Sequence, residues 1–313
     1  MKRNPRQFLS PAPGFSALET AAAVILPVAY EGGVSYGTGA ARGPAAVIEA
    51  SAYLELYDEV LEAEPHRMGI ATAACHELPP EPEAMLAAVR RCAEALLDQD
   101  KFLVGLGGDH SVTTALFQAV RERYGRLSAV QIDAHADLRE RYEGSIHSHA
   151  CVMSRIRQMT PDTLQIGIRS LSREEALRIR DEQIGVCTMH AYRSGQFDLE
   201  GALAALPDPV YLTVDVDAFD WSVIRSTGTP EPGGFLWDEG LALLRRVFRL
   251  RNVVACDVVE LSYDPEDRNS PFAAAKMIYK MLGFKLASAV ERGHTSWPST
   301  PRGAILGGAA SGS

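Results

Sequence analysis

Short apolar runs alternate with amphipathic stretches along most of the chain. AAAVILPVAY (21–30) and KFLVGLGG (101–108) are rich in Val, Ile and Leu and predict strands. SVTTALFQAVRERYG (111–125) repeats its apolar positions every three or four residues and predicts a helix. The same reading gives strand LSAVQIDAH (127–135), helix HACVMSRIRQM (149–159), strand TLQIGIRS (163–170), helix SREEALRIRDEQ (172–183) and strand GVCTMHAY (185–192). Helix LEGALAALP (199–207), strand PVYLTVDVDAF (209–219), helix WDEGLALLRRVFRL (237–250), strand NVVACDVVEL (252–261) and a long helix FAAAKMIYKMLGFKLASAV (272–290) follow. Strands that alternate with helices need crossover connections, so the fold class is α/β with a mostly parallel sheet covered on both faces. Ligands of such sheets bind beyond the carboxyl ends of the strands. Chemistry is therefore sought in polar residues directly after apolar runs.

Four runs end in such residues. VGLGGDHS places His110 after two glycines, Gly107 and Gly108, which suit a tight strand-to-helix turn. QIDAHADLR continues an apolar strand with Asp133, His135 and Asp137 at every second position. Alternate residues share one face of a strand. Fully extended, Asp133 and Asp137 would stand about 13 Å apart, too far for one ion. Either the chain curls after His135 or the segment serves two ions. YLTVDVDAFD repeats the device with Asp215 and Asp217. Buried carboxylates side by side repel, and without a cation one of them takes a proton. Two such ends plus His110 are most economically read as one metal cluster with two His and four Asp ligands. Oxygen with imidazole suits Mn²⁺, and less exclusively Fe, Co, Ni or Zn, while the lack of thiolate argues against structural zinc. Two divalent ions cancel four carboxylates, and a bridging hydroxide leaves the cluster near −1, which suits a cationic substrate. Metal binding lowers the pKa of water towards about 7 and so supplies that hydroxide. The fourth end, ACDVVELSY, adds Glu260, a carboxylate that beside such a cluster calls for a cationic partner. YEGSIHSHA contributes His147 and His149 as candidate proton donors.

Composition narrows the classes. The 313 residues, 46% apolar and 23% charged, suit one large globular domain or two small ones. A net charge of −9 argues against nucleic-acid binding, which needs cations against phosphates, and is compatible with steering a cationic substrate. The five cysteines (75, 92, 151, 187, 256) are scattered and odd in number, as expected of reduced thiols in a cytoplasm rather than a disulfide framework. MKRNPRQFLSPAPGF lacks the apolar core of a secretory signal, and no stretch is long enough to span a bilayer. The expected division is an N-terminal arm (1–18), one catalytic domain (19–294) and a loose tail (295–313).

GGDHS, DAHAD, DVDAFD followed by TGTPEPGG, and DVVEL, in that order at strand ends, resemble the arginase/agmatinase (ureohydrolase) family. YEGGVSYGTGAARGPAAVIEAS resembles its opening, so the likeness covers roughly residues 20–290. The resemblance implies a three-layer α/β/α fold with about eight strands, a binuclear manganese site, hydrolysis of guanidino groups to urea, and assembly as homotrimers or homohexamers. It implies His110 and Asp137 on one manganese, His135 and Asp217 on the other, and Asp133 and Asp215 bridging. Asp137 would also orient the hydroxide, Glu260 would hold the guanidinium, and His149, preferred over His147, would shuttle protons. LRERYEGSIHSHA resembles agmatinases rather than the Asn- and Ser-rich stretch of arginases, so agmatine, yielding putrescine in polyamine biosynthesis, is the first expected substrate. Arginine, guanidinobutyrate and aminopropylagmatine are the alternatives. Arg139 accords with the same agmatinase-like pattern and carries little weight for a carboxylate. Two departures from the family pattern, Trp221 after Asp220 and VIRSTGTP before the loop, bear on the substrate pocket. The competing classes are a mononuclear-zinc deacylase on a related fold, which would leave His110 and the outer aspartates without a role, and a silent paralogue, which Trp221 alone supports.

Overall fold

The computed structural model describes residues 7–10, 13–32, 36–75 and 78–296. Its elements are β1 (Ala23–Val28), α1 (Gly43–Ser51), β2 (Ile70–Thr72), α2 (Pro82–Leu97), β3 (Phe102–Gly107), α3 (Val112–Tyr124), β4 (Ser128–Ile132) and α4 (Val152–Met159). There follow β5 (Thr163–Ile168), α5 (Arg173–Asp181), β6 (Gly185–Thr188), α6 (Met189–Arg193), α7 (Leu199–Ala205), β7 (Val210–Asp215), α8 (Trp237–Leu250), β8 (Val253–Val259) and α9 (Asn269–Glu291). The eight strands pair in parallel in the order β2-β1-β3-β8-β7-β4-β5-β6. Two apolar cores lie on its faces. One holds Val47, Leu203, Leu244 and Ile278 of α1, α7, α8 and α9, and the other holds Val89, Leu116 and Ile156 of α2, α3 and α4. Three layers result because doubly buried strands such as VVACDVV have no polar face to turn to water.

Four elements lie outside the sequence expectations: β2, only three residues long at the sheet edge, and helices α1, α2 and α6. The strand expected over 185–192 stops at Thr188, whose hydroxyl accepts from Ala191 N at 3.1 Å and caps the short helix α6. The cysteine expectation is corrected as well. Cys75, after β2, and Cys92, in α2, form a disulfide with Cα atoms 5.9 Å apart, while Cys151, Cys187 and Cys256 are free and buried. The 17-residue spacing of the bonded pair matches no local motif, and only the unanticipated α2 brings Cys92 over Cys75. Within the expected arm, Phe8 and Leu9 are buried, and their amides donate to Thr72 Oγ1 and Ser51 Oγ, both at 2.8 Å. The expected tail beyond Ser296 lies outside the described residues.

The sheet order fixes where chemistry can occur. β3, β8, β7 and β4 are consecutive neighbours, so the four polar strand ends open into one crevice. Gly107 and Gly108 serve close approach there rather than turn flexibility. A Cβ on Gly107 would meet Val259 Cγ1 at 2.7 Å, and one on Gly108 would run into the Tyr30 carbonyl oxygen. Gly108→Ala is therefore expected to lower stability by about 1–3 kcal/mol through overpacking against backbone, read as a fall in the urea midpoint at unchanged slope.

Candidate active site

All six candidate metal ligands meet at the ends of β3, β4 and β7. His110 follows β3 and is buried. Its Nε2 pairs with Thr213 Oγ1 at 2.9 Å, which leaves Nδ1 facing three carboxylates: Asp137 Oδ2 at 3.1 Å, Asp133 Oδ2 at 3.2 Å and Asp215 Oδ2 at 3.3 Å. None of them meets Nδ1 in hydrogen-bond geometry, so among the described residues this buried nitrogen has ion-pair neighbours and no hydrogen-bond partner. His135 Nδ1 lies 2.9 Å from Asp217 Oδ2 and 3.7 Å from Asp133 Oδ1. Ligand atoms thus converge in two triads, His110/Asp133/Asp137 and Asp133/His135/Asp217, which share Asp133.

The local fold explains the convergence. β4 ends at Ile132, and the chain then curls instead of staying extended. Asp137 takes a left-handed φ of 52°, which short polar residues tolerate best, and this brings it back beside Asp133. The curl resolves the 13 Å problem, and the shared Asp133 serves both triads. Backbone amides fix one oxygen of three of the four aspartates and leave the other to the crevice: His135 N donates to Asp133 Oδ1 (2.6 Å), Asp217 N to Asp215 Oδ1 (2.9 Å) and Ala134 N to Asp217 Oδ1 (3.1 Å).

The electrostatics call for cations. Burial first, then Asp217 and Asp137, push the Asp133 carboxyl up to about 7. Burial and the same kind of neighbours hold Asp215 well above the usual range. Burial alone would lower both imidazoles, but the surrounding aspartates outweigh it. His110 lies well above its ordinary value and His135 rises to about 11. Asp217 moves the other way, because His135 overcomes the burial that would raise it. Protons here stand where divalent ions would neutralise the same charge. The His110 Nδ1 without a hydrogen-bond partner, the inward oxygens and the donor set all fit a pair of divalent ions.

Glu260 sits across the crevice after β8, with a left-handed φ of 67°. Its N–H donates to Gly108 O at 2.8 Å and its Oε1 accepts from His110 N at 2.6 Å, so it ties β8 to β3. Burial and then Asp109 hold its carboxyl well above the ordinary range, as expected of an acid awaiting a cation. A cleft of about 240 Å³ opens beside the triads, lined among others by His135, Asp137, Arg139, Tyr142, His149 and Thr229. His149 packs edge-on to Tyr142, centroids 5.9 Å apart, and Arg139 stacks over the same ring at 5.0 Å. His147 is not in this wall; its Nε2 faces Glu83 Oε1 at 3.4 Å.

The two departures leave the ligands alone. Trp221 is 57% exposed, and Asp220 turns to cap Ser222. Arg225 N and Ser226 N donate to Ser270 Oγ, and Ser226 Oγ donates to Asp267, so the altered lead is fastened to the start of α9. Supporting residues escaped the sequence reading. Gln131 Nε2 donates to Asp133 Oδ2 at 2.6 Å, and Arg169 donates to the carbonyls of Asp217 (2.7 Å) and Glu231 (2.8 Å), pinning the TGTPEPGG loop. A signal existed for each: Gln131 and Thr213 are polar residues two before a ligand on the same strand face, and Arg169 directly follows β5.

Residues 21–283 match the sequence profile described as the Arginase family. The chain is similar to an N(1)-aminopropylagmatine ureohydrolase from Synechocystis, 38% identical over 288 residues, covering 90% of this chain and 94% of that one. It is also similar to an agmatinase from Pyrococcus horikoshii, 34% identical over 263 residues, covering 83% and 90%. Among solved structures, an agmatine ureohydrolase of Thermoplasma volcanium superposes with a TM-score of 0.82 at 25% identity, covering 92% of this chain and 97% of that one.

The shared carboxylate and the elevated protons make two expectations about metal. Asp133→Asn should strip both ions on gel filtration, whereas His135→Ala should lose one, as counted by elemental analysis. Ligands must lose protons to bind metal, and Asp133 titrates near 7 in the metal-free cluster, so affinity should fall as pH drops through 7, with protons released on loading. A metal titration followed at pH 6 and pH 8 reads this directly.

Proposed function

Since the chain belongs to the arginase family, we propose that it is a binuclear-metal hydrolase that cleaves a guanidino group to urea and an amine, with agmatine as substrate and putrescine as product. The observation that carries this reading is the pair of His/Asp triads sharing Asp133, flanked by Glu260 and by a cleft that holds His149. A single catalytic domain over 19–294 carries the site. The ions of the reading are two Mn²⁺, the setting is cytoplasmic, and the assembly is a homotrimer or homohexamer. Neither nucleic acid nor membrane is a partner, and no helix among the described residues is long and apolar enough to cross a membrane.

When bound, the ions supply Lewis acidity and an ionised nucleophile at neutral pH. The chain supplies the rest. A guanidinium paired with Glu260 restores that carboxylate's charge, which burial otherwise opposes, and sets the planar group by charge-assisted hydrogen bonds. Asp137, facing the crevice, orients the attacking group through a hydrogen bond. As the carbon–nitrogen bond breaks, the departing amine needs a proton, because an amide anion cannot leave. His149 or Asp137 delivers it. The Tyr142 ring keeps the His149 imidazole on the cleft wall.

N(1)-aminopropylagmatine is the second substrate reading. Three relatives at 37–38% identity carry that name, and the molecule presents the same guanidine on a longer amine tail.

Urea release by manganese-loaded protein from agmatine, N(1)-aminopropylagmatine, guanidinobutyrate and arginine tests reaction and substrate together. Turnover of agmatine is expected. One tightly held zinc and no urea from any compound would sink the reading. His149→Ala should lower kcat by about 10²–10⁴-fold with little change in KM, the scale of a lost general acid. Glu260→Gln should lower kcat/KM by roughly tenfold or more, the scale of a hydrogen bond to a charged group.

A further inference from the structure

A second cavity, of about 390 Å³, lies where β1, β3 and β8 begin, with Ala22, Phe102 and Val254 in its wall beside Met68 and Leu286. The metal-ligand cluster lies past the other end of the same strands. A six-residue strand such as β3 rises roughly 3.3 Å per residue, so about 20 Å of sheet separates the two sites.

The cavity concentrates cations without carboxylate partners, in a chain of net charge −9. Lys285, in its wall, donates to Val253 O at 2.7 Å and lies over the Phe102 ring at 5.1 Å from the centroid. Lys101, also in the wall, donates to the carbonyls of Ala21 (2.7 Å) and Glu19 (3.3 Å). Nearby, Arg292 donates to Asn252 Oδ1 (3.3 Å) and Arg251 O (2.8 Å), and Arg251 donates to the carbonyls of Leu250, Ala204 and Leu206. Among the described residues, none of these four cations is ion-paired. The acid in the wall, Asp100, is taken by Arg123 at 2.7 Å. Burial and then Arg292 lower the Lys285 ammonium to about 8, the direction expected of a cation that lacks an anion. Apolar walls with a few convergent polar groups are what small-molecule sites are made of.

We propose that this cavity binds a small organic anion, with an apolar body against Phe102, Met68 and Val254 and one carboxylate or phosphate group paired with Lys285 and Lys101. Each ammonium retains N–H groups beyond those given to carbonyls, and charge-assisted hydrogen bonds to an anion are the stronger kind.

The test uses full-length, metal-loaded protein with benzoate, phenyl phosphate and inorganic phosphate as probes. Calorimetry should show one saturable site for benzoate or phenyl phosphate that weakens tenfold or more in Lys285→Met and largely returns in Lys285→Arg. Which probe binds tighter tells a carboxylate from a phosphate headgroup. Limited acetylation read by peptide mass should show the bound probe protecting Lys285 while exposed lysines react as before. This separates the cavity from any anion held at the metals. Urea release by Lys285→Met should match the parent, showing that the variant is folded. Should it not fold, Lys101→Met makes the same comparison. Inorganic phosphate binding as tightly as phenyl phosphate would overturn the organic ligand. Absence of Lys285 protection, or affinity unchanged by removing either lysine, would overturn the site.

Discussion

Four aspartates and a glutamate share one buried crevice with two imidazoles, and like charges at that spacing cannot all stay ionised unless cations join them. The surrounding architecture answers to that constraint. The sheet order places β3, β8, β7 and β4 side by side so that the groups meet. Backbone amides of the curled segments hold one oxygen of a carboxylate and aim the other inward. Left-handed φ angles at Asp137 and Glu260, each costing on the order of 1–3 kcal/mol, are kept because the surrounding contacts leave no other conformation. The two apolar cores supply the stability that such a crevice consumes.

The central strands were legible because doubly buried strands cannot hide: VVACDVV and VYLTVD are almost wholly apolar until the functional residue appears. The clustering of candidate residues was legible for the same reason, since Asp215 and Asp133 interrupt apolar runs. What escaped has physical causes too. β2 is three residues long and needs only one neighbour, so it leaves no periodic trace. α2 carries its buried stripe as Met85, Val89, Ala93 and Leu96, diluted by alanines on other faces. A two-residue period persists through Asp133, His135 and Asp137, so spacing marks neither the strand's end at Ile132 nor the left-handed turn at Asp137. The disulfide depended on a helix that had not been anticipated.

Charge is distributed with comparable economy. The acidic crevice lies at the carboxyl end of the sheet, and Lys285, Lys101, Arg292 and Arg251, none ion-paired among the described residues, lie at its amino end.

The hydrogen bond from His110 N to Glu260 Oε1 has a consequence for how such a chain can change over evolutionary time. One carboxylate holds the His110 loop and, on the proposed function, would also seat the guanidinium, so mutation there would disturb two tasks at once. Arg139 and Thr229 line the cleft beside the triads. On that reading, substitution at the rim would alter the room for a tail while leaving the seat of the head group in place.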